Sequence, residues 1–358
     1  MTEKEALISL AAFVPFGPVR IKLLVEYFGS ARGAWGASGA QLKEIGLSSN
    51  LVGELENFKK KFNYSSYSAR LRKYEIEVIT QKDKDYPKLL IQIDSAPTVL
   101  YVRGQLKPVD SVAIAIVGSR KATSYGREVA YKISTELADY GVTIVSGLAL
   151  GVDGIAHQAA IDAGGRTLAV LGNGLDTIYP FAHNELARQI LKNGALISEY
   201  PLGYPALPHN FPQRNRIVSG ISLGVVVIEG TEKSGTLLTA SHAAGQGREV
   251  FAVPGPINSP NSGAPNILLR NGAKLVTGAK DILEELDLGV RVQGIGNKEI
   301  LPENANEVKI LEIVTAEAVD IDTIVRISGM QTPVVLSTLT SMELKGIVRN
   351  TGGVYTKI

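Results

Sequence analysis

Cysteine is absent from the sequence, which removes disulfides, thiolate zinc sites and cysteine nucleophiles and accords with a reducing compartment. The cytoplasm is the expected location. No run of apolar residues approaches the length that a membrane span needs. The opening MTEKEALISLAAFVPFGPVR places Glu3, Lys4 and Glu5 ahead of an apolar stretch cut by Pro15 and Gly17, unlike the basic-then-apolar order of a signal peptide. An excess of one charge is lacking too: 37 Lys and Arg against 35 Asp and Glu leave a formal net charge of +2. That is too mild to announce a polyanion partner, so any such site must be a local patch. No G-x-x-x-x-G-K-[ST] loop occurs, which argues against an NTPase.

What is present is a chain of 358 residues, 45% hydrophobic, long enough for a large core with one or two small appended domains. Four regions separate by pattern. Residues 1–65 read as helical, with a tight Pro/Gly turn at VPFGPVR followed by IKLLVEYFGSARGAW, and a weaker echo in LKEIGLSSNLVGELENF. This helix-hairpin-helix, SAM-like pattern either presents backbone N–H groups to a phosphate or is simply a packed helical hairpin. Lys59, Lys60, Lys61, Tyr64, Tyr67, Arg70, Arg72, Lys73 and Tyr74 follow. Such a stretch can track a nucleic-acid strand, but a solvated linker helix is the commoner reason for it.

Residues 66–286 are assigned to one α/β domain with an N-terminal extension. Within it SVAIAIVG, VTIVSG, TLAVLG, ALISE, GVVVIEG, EVFAVPG and AKLVTG alternate with amphipathic stretches such as YGREVAYKISTELADYG. Short β-branched runs joined by crossover helices predict a Rossmann-like, doubly wound, mostly parallel sheet. EIEVIT and TVLYVRG, upstream, either extend that sheet or start a flanking subdomain. Residues 287–305 lose periodicity and read as a linker. In 306–358 three short helices and a hairpin with a Gly-Gly turn predict a winged helix. No long internal repeat or low-complexity tract occurs.

An open α/β sheet binds ligands beyond the carboxyl ends of its strands, so the residues closing each run carry the chemistry. The first run ends in Gly118-Ser119-Arg120, which joins close backbone approach, a hydroxyl and a charged fork suited to phosphate. It is not a G-x-G-x-x-G fingerprint. The second ends in Ser146-Gly147 and runs on through Gly151, Asp153 and Gly154, and the third in Gly172-Asn173-Gly174 with Asp176. Further on, Arg214, Asn215 and Arg216 place two arginines around an amide before a helix, and Ser234-Gly235-Thr236 open another whose N–H groups can receive an anion. Small donor-rich loops and three arginines on one rim suit a chain of phosphates better than a single nucleotide.

Gly118-Ser119-Arg120, SGLALGVDGIAH, AVLGNGLDTIYP, SEYPLG, FPQRNRIVSG, SGTLLTA, GREVFAVPG and NGAKLV, in that order and spacing, closely resemble the DprA/Smf family of DNA-processing proteins. The resemblance covers the sheet region nearly end to end. It implies binding and protection of single-stranded DNA and loading of the RecA recombinase during natural transformation, by a homodimer without cofactor or turnover. It also implies a DNA pocket on Ser119, Arg120, the loops at Gly147 and Asn173, Arg214 and Arg216. Where family members often carry a basic or polar residue after the YP of the third loop, this chain has Phe181, which loses a phosphate contact or replaces it by stacking on a base. Ile267, Leu269 and Leu275, near the sheet's last edge, are the expected dimer contacts, the alternative being that they face the protein's own core.

Two rivals remain. Nucleotide phosphoribohydrolases of the same superfamily carry P-G-G-x-G-T-x-x-E, but Thr239 stands here where their carboxylate belongs, and no acid-base group is evident. A transcription factor acting through the winged helix is disfavoured by charge, since residues 301–358 hold five basic residues against seven acidic ones. Asp153 and His157 lie one helical turn apart and admit a metal pair or a proton shuttle, but a capping carboxylate and a packed or hydrogen-bonded histidine are the plainer reading. His183, His209 and His242 lack ligand spacing, and no metal is assigned.

Overall fold

A computed structural model describes residues 1–288, 304–314, 319–344, 347–351 and 353–357. The chain divides into two compact units, residues 1–295 and 296–358.

Six helices open the first unit: α1 (Glu3–Ala12), α2 (Pro18–Tyr27), α3 (Ala31–Gly36), α4 (Gly39–Glu44), α5 (Ser49–Lys61) and α6 (Tyr64–Lys73). Their starts are set locally. Thr2 with Glu5 and Ser38 with Gln41 form capping boxes on α1 and α4, Ser30, Ser48 and Asn63 cap α3, α5 and α6, and Gly17-Pro18 starts α2. The IKLLVEYFGSARGAW stretch is broken after Tyr27, where Gly29 adopts φ 72° and Ser30 caps a new helix. The basic tyrosine stretch is no solvated linker. Tyr67 and Leu71 of α6 are buried, and the Tyr67 hydroxyl meets that of Tyr101 at 3.1 Å and accepts the Leu202 N–H at 3.3 Å. The helical array therefore runs to Lys73 and shares one apolar core with the sheet.

The sheet follows as β1 (Ile76–Thr80), β2 (Val99–Gly104), β3 (Ala113–Val117), α7 (Ser124–Asp139), β4 (Thr143–Ser146), α8 (Val152–Asp162), β5 (Thr167–Val170), α9 (Asn184–Asn193), β6 (Ala195–Ser198), α10 (Asn210–Gly220), β7 (Gly224–Val227), α11 (Gly235–Gly245), β8 (Glu249–Ala252), α12 (Gly263–Arg270), β9 (Lys274–Leu275) and α13 (Ala279–Glu285). Strand order is β1-β2-β6-β5-β4-β3-β7-β8-β9. All seven predicted apolar runs are strands, and β6 through β9 are mutually parallel. EIEVIT and TVLYVRG extend the sheet, β2 antiparallel to β6 and β1 antiparallel to β2. Central strands need apolar side chains on both faces because helices cover both. Ile114, Ile116, Ile144 and Val226 pack on the α7–α8 side, and Ala115, Val145 and Val225 on the α10–α11 side. From β3 the chain winds outward in both directions, so the switch point lies between the carboxyl ends of β3 and β7.

The second unit holds α14 (Ala305–Leu311), β10 (Val319–Asp320), α15 (Ile321–Ser328), α16 (Thr332–Leu344), β11 (Val348–Thr351) and β12 (Val354–Lys357) around Ile310, Ile324, Val335, Leu339 and Met342. Its sheet order β10-β12-β11 adds a short strand to the expected hairpin. This is a winged helix. Among the described residues, no helix is long and apolar enough to cross a membrane.

Asp153 and His157 serve the fold. In the first turn of α8 the Asp153 carboxylate accepts the N–H groups of Gly147 (3.1 Å) and Ala149 (3.4 Å), closing the β4–α8 loop. His157 is fully buried. The Thr167 hydroxyl donates to the Ile144 carbonyl at 2.8 Å and so accepts from His157 Nδ1–H at 2.6 Å, which leaves Nε2 unprotonated and without a partner. Burial, then the charges of His183 and Arg214, push the His157 pKa down to about 3 from 6.5. A depressed histidine stabilises the fold above its unfolded pKa, and that stability is lost as pH falls, because only the unfolded chain takes up the proton. Asp153, raised by burial, acts with the opposite sign, so the parent–variant difference isolates the histidine. Urea unfolding of the parent from pH 6.5 toward pH 4 is expected to lose up to roughly 1.4 kcal/mol per pH unit more than His157→Asn. Parallel pH profiles would assign acid sensitivity elsewhere.

Candidate nucleic-acid interface

The loops at the carboxyl ends of β3, β4 and β5 are locked together. A Cβ on Gly118 would overlap Val152 of α8, and the Ser119 carbonyl accepts the Val152 N–H at 3.2 Å beside Gly151, which adopts φ 78°. Leu148, buried yet at φ 58°, holds a conformation that costs a non-glycine residue about 1 kcal/mol. Asp153 from one side and His183 from the other, its Nδ1 2.9 Å from the Leu148 carbonyl, keep it there.

Of the expected site residues, Arg120 is exposed, with its guanidinium 5.4 Å from the centroid of the Phe211 ring. Tyr179 lies 5.5 Å from the same ring at 30°, and Phe181, two residues on, is 70% exposed. The Arg120 guanidinium and the rings of Phe211 and Tyr179 thus gather at the rim, while Phe181 is exposed nearby in the chain. Ser119 is half-buried and accepts the Lys121 N–H.

The other two arginines lie differently from the expectation of an open phosphate row: with Asn215 they stand within α10 rather than ahead of a helix, because that helix already starts at Asn210. Arg214 is 4% exposed, its Nη1 donates to the Val170 carbonyl, and a Cβ on Gly147 would overlap its guanidinium. Burial lowers its pKa to about 10 against the opposing charge of Asp153, with Arg120 lowering it further. Arg216 is bonded to Glu199 at 2.5 Å, both side chains nearly buried. Desolvation raises the Glu199 pKa and Arg216 opposes that rise. This pair lies in the wall of a groove of about 1410 Å³, lined also by Phe16, Tyr27, Tyr200 and Tyr204, between the α1–α2 turn and the start of α10. These two arginines lie inward because α10 delivers Arg214 to the Val170 carbonyl and Arg216 to the Glu199 carboxylate, each keeping one buried nitrogen, Nε and Nη1 respectively, without a partner among the described residues. Asn215 between them is half-buried.

Ser146 is wholly buried and donates to the Ile116 carbonyl at 2.6 Å, bracing β4 on β3. Asn173 is 1% exposed and shapes its loop by donating to the Gly174 and Thr177 carbonyls, while its Oδ1 has no partner. Ser234 caps α11 by accepting the Thr236 N–H and hydroxyl. Gly235 is exposed and Thr236 buried, and this loop packs on Gly230 and Ala264, on the β7 side of the switch. At the sheet edge Leu275 is 54% exposed in β9, which among the described residues pairs with β8 alone, and Ile267 and Leu269 are half-buried on α12. Val276, next to Leu275, belongs to the protein's own core.

Sequence reasoning passed over Phe211 and Tyr179 as site members. Each stands beside a proline at the edge of a polar loop motif, YP and FPQRN, and an aromatic side chain held at a rim by proline was the available signal.

Residues 77–287 match the family described as DNA recombination-mediator protein A, and residues 299–353 match the DprA winged helix domain. Protein Smf of Escherichia coli is 39% identical over 88% of this chain and 86% of its own length. DNA processing protein DprA of Bacillus subtilis is 43% identical over 66% of this chain and 79% of its own. Among solved structures, DNA processing protein A from Streptococcus pneumoniae superposes with a TM-score of 0.69 at 33% identity, covering 80% of this chain and 98% of that one. DNA processing protein A from Helicobacter pylori does so at 0.54 and 30% identity, covering 60% and 96%. Matched across its sheet and its winged helix and over most of the length of such relatives, this chain belongs to the DNA recombination-mediator protein A (DprA) family.

Proposed function

We propose that this chain binds single-stranded DNA across the loops at the carboxyl ends of β3, β4 and β5, shields it, and passes it to a RecA-type recombinase in natural transformation. It works without catalytic turnover, in the cytoplasm, as a homodimer. The observation that carries the reading is Arg120, an exposed guanidinium seated on the Phe211 ring, with the Tyr179 ring against Phe211 and the exposed Phe181 two residues further along the chain. A cation that meets phosphate next to rings that meet bases is how proteins hold single strands without reading sequence. The relative from Helicobacter pylori has a single-stranded DNA binding mode, which supports the same use of the rim.

The hydrolase alternative gains nothing from the α11 loop. Thr239 is 2% exposed and its hydroxyl donates to the Gly235 carbonyl of its own helix, so the position offers no proton donor or acceptor to a substrate. The β9 edge supports homodimerisation: a two-residue strand with one open side and an exposed Leu275 invites pairing with its symmetry mate.

Binding of labelled single- and double-stranded oligonucleotides, followed by fluorescence anisotropy across salt concentrations, tests the function. The single strand is expected to be preferred, and equal affinity for both forms would sink the reading. Arg120→Ala is expected to leave the melting temperature unchanged and to flatten the slope of log affinity against log salt by roughly 0.7, the value of one phosphate on a single strand. Arg214→Ala is expected to do the reverse in kind. With Asp153 left buried without its opposing charge, it destabilises the fold by on the order of 3 kcal/mol in urea unfolding, and an unchanged stability would return Arg214 to the role of an open phosphate contact. Leu269→Glu with Leu275→Glu is expected to halve the mass in sedimentation of a folded protein, whereas an unaltered sedimentation coefficient would move the interface off this edge.

A further inference from the structure

Glu229 stands two residues beyond β7, at the switch point, and is 4% exposed. Its Oε2 accepts the Thr123 N–H at 2.9 Å and its Oε1 the Thr123 hydroxyl at 2.5 Å, while Thr123 Oγ1 accepts the Gly126 N–H at 3.1 Å and so caps α7. Asn261 Nδ2 lies 3.5 Å away. Among the described residues its bonding partners are the start of α7 and this amide, with no lysine or arginine. The glycine of the first turn of α7 is shaped to it, since a Cβ on Gly126 would overlap the carboxylate.

In Rossmann-type folds the helix that follows the first strand at the switch point receives the phosphate of a bound nucleotide, because its free N–H groups and dipole favour an anion. Here that helix is α7, and its anion is part of the chain. We propose that Glu229 is an internal occupant of the nucleotide-phosphate seat, a specificity-determining residue that denies the switch point to free phosphate and mononucleotides. The rim beside it is thereby left to the phosphates of a continuous strand. This purpose rests on the strand-binding reading; the occupancy itself does not.

The test is thermal unfolding of the full chain in potassium chloride, and in inorganic phosphate or formate at matched ionic strength, together with calorimetric titration of 5′-AMP. Glu229→Ala is expected to melt roughly 5 °C below the parent in chloride, having lost two charge-assisted hydrogen bonds. It is expected to recover at least half of that in about 50 mM phosphate or formate, and to bind 5′-AMP in the millimolar range. The parent is expected to gain only the small general stabilisation that phosphate gives any fold and to bind no 5′-AMP. Glu229→Gln, whose amide still fills the space, is expected to melt below the parent and to remain unresponsive. Glu229→Ser carries the same readout should the alanine variant not fold. A folded alanine or serine variant that ignores both anions, or a parent that binds 5′-AMP, overturns the proposal. An oligonucleotide titration of the parent, run alongside, separates the two failures: loss of strand binding in the parent defeats the function, whereas a silent Glu229→Ala with intact parent strand binding defeats only the occupied seat.

Discussion

The opposition of Arg214 and Asp153 beneath the β4–α8 loop is the constraint on which the rim depends. Both side chains are buried, and burial alone would discharge each of them, raising the acid and lowering the base. Each limits the other's shift. Asp153 spends its lone pairs on the N–H groups of Gly147 and Ala149, and Arg214 spends a donor on Val170 at the end of β5. Two neighbouring strand ends are thereby tied to α8 and α10 at one point. The left-handed Leu148 and the close approach of Gly147 to a guanidinium are tolerable only because this charged layer over-determines them.

That layer separates the arginines into two roles. Arg214 and Arg216 are each engaged by the protein, one by a carbonyl and a distant carboxylate, the other by Glu199 at hydrogen-bond distance, although Nε of Arg214 and Nη1 of Arg216 stay buried without a partner among the described residues. Arg120, in the turn that follows β3, has the face of Phe211 as its side-chain partner among the described residues. A guanidinium on a ring keeps its edge donors free, which is the geometry needed to take a phosphate from solvent. Near-neutral net charge is no obstacle to such a site, because a strand held over a few ångströms samples the local field of the rim.

The same fold elsewhere supports nucleotide chemistry at its switch point, and two positions here turn away from it. Thr239 bonds its own helix, and Glu229 fills the anion seat of α7. Both act by satisfying, from within the chain, groups that would otherwise be offered to a small ligand. On the strand-binding reading, what these positions leave to a ligand is the exposed Arg120 with the Phe211 and Tyr179 rings, suited to several weak contacts along a polymer.

The sequence by itself determined the α/β class, the seven parallel strands and the winged helix, because burial on both faces imposes apolar runs, and caps and glycines punctuate them locally. It also pointed to the carboxyl edge of the sheet as the candidate site, since a strand's carboxyl end is read directly from where its run stops. The direction in which an α10 arginine points was not legible there. Arg214 and Arg216 look alike in FPQRNR, and only the seating of α10 in the folded domain turned one toward Val170 at the end of β5 and the other toward Glu199 just past β6. The short edge strand β10, the burial of α6 through Tyr67, and the meeting of Glu229 with Thr123 across 106 residues belong to the same class. Each is a contact between segments distant in the chain, and local propensity and periodicity carry no record of partners that only the folded chain brings within reach.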